Sequence, residues 1–180
     1  MARRPVPEAK LVDTEAGKKP EGEGWFIVNV ADAAAMGIDD GVYGVIFEGE
    51  FGSFPQLGIN VRVLGPGRPA AMYHAESGQE AFLVLQGEAV LIVEDEERRL
   101  RQWDFAHWPP NTAHVIVGAG DAPCIVLMVG ARIPGRELTF PASEAAAKYG
   151  ASVEEDTDDR AVAYAKWPPL KPGRFPWPPA

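Results

Sequence analysis

The chain has 180 residues, 46% hydrophobic and 24% charged, with a formal charge of -9 at pH 7. That length and composition fit one ordinary globular domain with a sizeable core. The acidic balance argues against nucleic acid and anionic membrane surfaces as partners, since both select clustered Lys and Arg.

Residues 1–24 are rich in Pro, Gly, Lys and Glu, and read as a flexible arm. Arg3-Arg4 is followed by Pro5 and not by an apolar run, so no signal peptide is expected, and no segment has the length of a membrane span. A cytoplasmic location is the expectation. The one cysteine, Cys124, lies in the apolar run Cys124 to Val129 and reads as a small core residue.

From residue 25 the pattern is β. Trp25 to Val30 reads as a strand, and Asp32 to Gly37 as one helical turn capped by Asp32 and stopped by Gly37. Further strands are expected at Val42–Phe47, Leu57–Leu64, Ala70–Glu76, Glu80–Gln86, Glu88–Val93, Glu97–Arg101, Asp104–Trp108, Ala113–Val117 and Cys124–Ala131. Short strands separated by Gly, Pro and Asn-rich turns imply an all-β barrel or sandwich over residues 25–134. Residues 135–180 change character. Ser143 to Gly150 and Asp158 to Lys166 read as short helices, and Trp167 to Pro179 as an extended Pro-rich tail. Trp167, Phe175 and Trp177 are costly to leave in water, so the tail is expected to pack on the barrel or on a partner subunit.

The chemistry-bearing residues lie in two stretches, Met72 to Glu80 and Pro109 to His114. Alternation along a strand sends His74 and Glu76 to one face, and the Ser77-Gly78 turn brings Glu80 back towards them. His114 follows a Pro turn on a separate strand. Two imidazoles and two carboxylates facing one point would hold a hard-to-borderline divalent metal (Mn, Fe, Ni or Zn). With one carboxylate unbound, two His and one carboxylate would form the facial set of non-haem iron oxygenases. His107 shares a face with Phe105 and reads as a hydrogen-bonded or supporting His. The charge run Glu94 to Arg99 reads as a solvated hairpin tip, and the acidic run Glu154 to Asp159 as surface.

This arrangement resembles the cupin superfamily, whose motifs have the forms G-x5-H-x-H-x3,4-E-x6-G and G-x5-P-x-G-x2-H-x3-N. Glu80 and Gly87 match the end of the first, which puts His74 and Glu76 at its two His positions. Pro109, Asn111 and His114 match the second, with Asn for Gly. Arg68 stands at the opening Gly, and Gly118 at the closing Asn. The resemblance implies a cupin-type antiparallel β-barrel, jelly-roll-like, with metal ligands His74, Glu76, Glu80 and His114, and pairing of small barrels into a homodimer. The expected function is a metal-binding cupin acting on or binding a small polar molecule, through oxygenase or isomerase/lyase chemistry. A non-catalytic binding module for a sugar or metabolite and a metal-free structural barrel are the alternatives.

Overall fold

A computed structural model describes residues 5–38, 41–49, 54–175 and 177–179. Arg3 and Arg4, and Pro176 and Ala180 of the expected tail, lie outside them. In chain order the strands are β1 (Lys10–Thr14), β2 (Gly17–Glu21), β3 (Ala35–Ile38), β4 (Val42–Ile46), β5 (Leu57–Leu64), β6 (Ala75–Glu76), β7 (Glu80–Gln86), β8 (Glu88–Val93), β9 (Glu96–Arg101), β10 (Phe105–Trp108), β11 (His114–Ala119), β12 (Cys124–Ala131) and β13 (Leu138–Thr139). Helices α1 (Glu144–Ala147) and α2 (Arg160–Ala163) follow, then β14 (Lys171–Gly173).

A seven-stranded sheet runs in the order β10-β7-β12-β5-β4-β3-β14, and a three-stranded sheet in the order β11-β8-β9. All pairings between these strands are antiparallel. The protein therefore has the all-β architecture that its turn spacing implies, with the two antiparallel sheets of the jelly-roll-like barrel that the resemblance implies.

Why the strands read as continuous apolar runs is clear from their two faces. Leu91 and Ile116 from the small sheet meet Leu64, Phe82, Val84 and Val126 from the large one. The alternate residues Val90, Ile92, Val115 and Val117 face outward, yet they are covered by Tyr73, Ala145, Ala146 and Ala151. The outer face of the large sheet, with Tyr43, Val45, Val61 and Val63, is packed by Val28, Val30, Phe175 and Trp177. Burial on both faces erases the polar alternation a half-exposed sheet would show.

Three local expectations are corrected. Residues 10–21 form the β1-β2 hairpin instead of lying wholly in a flexible arm. Trp25 to Val30 is irregular apart from a bridge between Trp25 and Glu8. The Asp32–Gly37 turn is not helical: Ala35 to Ile38 pair with Val42 to Val45 as a strand. A one-turn helix gains too few hydrogen bonds to nucleate, whereas the open edge of β4 offers a full ladder.

Ala70–Glu76 is also less regular than expected. Only Ala75 and Glu76 form a strand, pairing with β13. The preceding segment follows β11 through separate bridges, Pro69 to Val117 and His74 to His114. Pro69 has no N–H for a ladder, and the Tyr73 N–H is diverted to Ala151 O at 2.6 Å.

Beyond the barrel, Ser143 caps α1 and Asp159 caps α2, each accepting from a backbone N–H of the first turn. The expected hairpin tip anchors α1, because Asp95 accepts from Ser143 Oγ at 2.5 Å and from Ala145 N at 3.3 Å. In the C-terminal segment β14 pairs with β3, and Phe175 stacks on Tyr43 with centroids 4.5 Å apart. Cys124 is fully buried, and burial pushes its thiol up to about 11, so it is an inert core residue.

Candidate metal centre

The interior between the sheets changes polarity along its length. Strand alternation on β5 puts Val61 and Val63 on the outer face and sends Asn60, Arg62 and Leu64 inward. Glu80, Phe82 and Val84 point inward from β7, and His114 and Ile116 from β11. One end of the sandwich is thus closed by Leu64, Val84, Ile116 and Val126. The other is a polar cavity of about 300 Å³.

His74, Glu80 and His114 meet in that cavity, each offering a ligand atom within 4.8 Å of the others. They arrive from three directions: Glu80 from the first residue of β7, His114 from the first of β11, and His74 through its bridge to His114. The turn before His114 holds Asn111 at φ 65°, so Asn keeps the left-handed geometry of the glycine it replaces. Gly130 and Gly58 lie beside Glu80 in register, and a Cβ on Gly130 would stand 3.3 Å from Glu80 Oε1. Gly130 therefore clears space for the carboxylate.

Hydrogen bonds set the imidazole tautomers. His74 Nδ1 lies 2.7 Å from Met72 O, and His114 Nδ1 lies 3.0 Å from Thr112 O. A carbonyl only accepts, so both Nδ1 atoms carry the proton, and both Nε2 atoms are free to act as ligands. His114 Nε2 stands 3.2 Å from Glu80 Oε2. That oxygen is buried yet makes no hydrogen bond. Lone pairs on a buried nitrogen and a buried carboxylate oxygen face a common point, an arrangement that a cation satisfies. The donor set of two imidazoles and one carboxylate suits Mn, Fe(II), Ni or Zn.

The surroundings reinforce this. Burial is the main effect on His74 and, with His114 beside it, lowers its pKa, which favours the neutral form a metal needs. Trp108 packs against His114 at 4.1 Å between centroids and Phe82 packs edge-on against Trp108 at 4.6 Å, fixing the ligand from behind.

Glu76, expected as a fourth ligand, lines the same cavity and is buried, but stands outside the three-residue cluster. Its carboxylate faces Arg136 Nη2 at 3.4 Å. Burial, with the Glu80 charge adding, raises its pKa against the opposing pull of Arg136. His107 is exposed on β10 and takes no part in the cavity.

Sequence reasoning missed the arginines. Arg62, Arg132, Arg136 and Arg160 all line the cavity. The legible signal was Asn60 and Arg62 set between Ile59, Val61 and Val63, a polar alternation inside an otherwise apolar strand. Arg136 and Arg160 carry no such signal, because the chain after the barrel folds back over the opening. There Phe140 and Tyr164 join Leu138 and Trp167 in a cap around Met72 and Ala163.

The family described as cupin domain matches residues 60–130, which include His74, Glu80 and His114. Residues 60–130 thus carry a cupin domain. Among solved structures it is similar to a sugar phosphate isomerase from the cupin superfamily of Silicibacter pomeroyi, at 29% identity and TM-score 0.50, covering 55% of this chain and 64% of that one. This cupin thus spans under two thirds of that relative. It also shares its fold with a Thermotoga maritima protein predicted to be an oxalate decarboxylase, at 16% identity and TM-score 0.52, covering 59% of this chain and 99% of that one. No curated protein matches the chain. No helix among the described residues is long and apolar enough to cross a membrane.

Proposed function

We propose that this cupin holds one divalent cation through His74, Glu80 and His114 and uses it to isomerise a small hydroxylated molecule bound in the cavity. The observation that carries the cation is the buried, unbonded Glu80 oxygen facing a His114 nitrogen whose tautomer leaves it unprotonated. Support for isomerisation comes from the Silicibacter pomeroyi relative, named a sugar phosphate isomerase.

A bound cation would supply Lewis acidity, polarising a carbonyl or hydroxyl oxygen of the substrate. The chain's own residues do the rest. Glu76 is buried in the same cavity and is not committed to the cluster, so its carboxylate is the group placed to take and return a proton. Arg136 holds that carboxylate in place from the cavity rim. Phe82, Met128 and Phe140 form the apolar wall that keeps bulk water from the reacting carbon.

The cation is tested by elemental analysis of untagged protein after dialysis against Mn, Fe(II), Ni and Zn. The expected result is one equivalent of metal in the wild type and none in His74→Ala or His114→Ala. Wild-type protein that stays metal-free would overturn the reading. Turnover is tested by screening aldoses, ketoses and their phosphates in deuterated water. Isomerisation through Glu76 incorporates solvent deuterium at the carbon that exchanges, and Glu76→Gln abolishes it. Dioxygen consumption in the same screen would instead select the oxygenase chemistry.

A further inference from the structure

Arg62 is the one cavity arginine whose position the cavity itself does not explain. Arg132 pairs with Glu48 at 2.6 Å and Arg136 with Glu76 at 3.4 Å. Arg160 lies over the Tyr164 ring at 5.3 Å. Arg62 points inward from the middle of β5, where Tyr164 is its electrostatic neighbour and no carboxylate among the described residues pairs with it. Desolvation by burial lowers its pKa.

A half-buried guanidinium without an anion is a costly arrangement, and charges drawn out of water in folded proteins are ordinarily paired. The surrounding sequence makes room for it all the same. Gly44 stands directly opposite Arg62 on β4, and a Cβ there would lie 3.0 Å from Arg62 Nε. The guanidinium thus lies across a backbone with no side chain. Beside it Asn60 Oδ1 is buried and also unpartnered. Four arginines line the cavity, against the lining carboxylates Glu76 and Glu80 and the Glu48 carboxylate that pairs with Arg132. In a chain of formal charge -9 this is a local positive field.

We propose that Arg62, with Asn60 and Arg160, forms an oxyanion-binding subsite in the cavity that receives a phosphoryl or carboxylate group of the molecule acted on. Arg62 supplies a fork of N–H donors matched to two oxygens of such a group. Arg160 supplies the second charge from the rim, and Asn60 Oδ1 accepts from a neighbouring hydroxyl. The subsite rests on reading the cavity as a substrate site, and it does not require the cation.

The test uses the full chain stripped of metal, at constant ionic strength. Inorganic phosphate, methyl phosphate and acetate are titrated by calorimetry and by thermal melting, with chloride as reference. Phosphate or acetate should bind and raise the melting temperature where chloride does not. Arg62→Gln should weaken that binding by about tenfold or more, and Arg62→Lys by less, since it keeps the charge but loses the fork. The ligand-free Arg62→Gln protein should melt at or above the wild type, because a half-buried charge without a carboxylate partner has been removed. A purely structural Arg62 would give the opposite, a lower melting temperature with no special loss of anion binding. His114→Ala should lose metal yet keep the anion response, which separates failure of the subsite from failure of the metal centre. Tighter binding of methyl phosphate than of acetate assigns the phosphoryl source, and the reverse assigns the carboxylate. Wild-type protein indifferent to both anions, or an Arg62→Gln variant that binds them as tightly, overturns the proposal.

Discussion

Glu80→Gln is the most searching perturbation of the metal centre, since it keeps shape and removes charge. Glu80 is one of the three clustered groups proposed to hold the cation, and its Oε2 stands 3.2 Å from His114 Nε2. A neutral amide oxygen is a far poorer ligand for a divalent cation than a carboxylate. Changing even a residue that only supports a ligand costs about 10–100-fold in metal affinity, so loss of the carboxylate should cost ~100-fold or more. With free metal at 100 times the wild-type dissociation constant, binding stabilises the wild type by about 2.7 kcal/mol. For a chain of this size each kcal/mol moves the melting temperature by roughly 2–4 °C, so metal should raise it by about 5–11 °C. In Glu80→Gln the same metal concentration only matches the weakened constant, leaving about 0.4 kcal/mol and a shift of ~1 °C. Scanning fluorimetry with and without Zn or Mn reads both numbers on one plate. Glu76→Gln is the control and should keep most of the wild-type shift, because that carboxylate faces Arg136 and not the cluster. An undiminished metal shift in Glu80→Gln, or a shift lost equally in Glu76→Gln, would refute the three-ligand geometry.

Other consequences are independent of the metal. A Cβ on Gly118 would stand 2.3 Å from Gly65 O and 2.6 Å from Leu64 O, so Gly118→Ala must displace backbone; a loss of about 2–3 kcal/mol is expected in urea denaturation. Phe175→Ala removes a ring stacked on Tyr43 and should cost about 1–2 kcal/mol, with amide exchange quickening first in β14 and β3. Asp95→Asn reports on the anchoring of α1. Hydrogen bonds from Ser143 and Ala145 lower the Asp95 pKa below its ordinary 3.8, so its ionised form stabilises the fold above that value. The variant should therefore melt lower than the wild type at neutral pH. The gap should narrow as the pH falls through the depressed pKa, and a pH-independent gap would contradict this assignment.

The β architecture and the cluster of His74, Glu80 and His114 were legible because both are encoded locally. Turn residues divide the chain into strands, and His74 and Glu80 stand close in sequence on either side of the Ser77-Gly78 turn, although β6 and β7 pair with different strands. Glu76 shows the limit of such spacing. Alternation correctly turns it into the same cavity as His74, but alternation gives direction and not depth. Its neighbour across the opening, Arg136, decides where the carboxylate settles, and Arg136 belongs to a segment that arrives only after the barrel is complete. Asp32 to Gly37 fails for a related reason. Its alanines favour a helix by propensity, but the sheet edge that recruits Ala35 to Ile38 is built by Val42 to Ile46 and Leu57 to Leu64.

Gly118 and Arg62 carry this argument further, because each departs from a local rule for a reason set across the barrel. Gly118 stands where the family motif ends in Asn, and here no side chain fits, since the Leu64–Gly65 backbone passes where its Cβ would stand. Arg62 breaks an apolar strand, and the partner strand answers with Gly44 directly opposite. A charged residue retained by accident would cost stability and leave its neighbours unchanged. Here the opposing residue has no side chain, the inward face of the same strand carries a second unpartnered polar atom on Asn60, and both open onto the cavity that holds His74, Glu80 and His114. Local rules fail most informatively where the fold tolerates a cost, and a cost placed in the wall of a polar cavity is repaid when a ligand of opposite charge arrives.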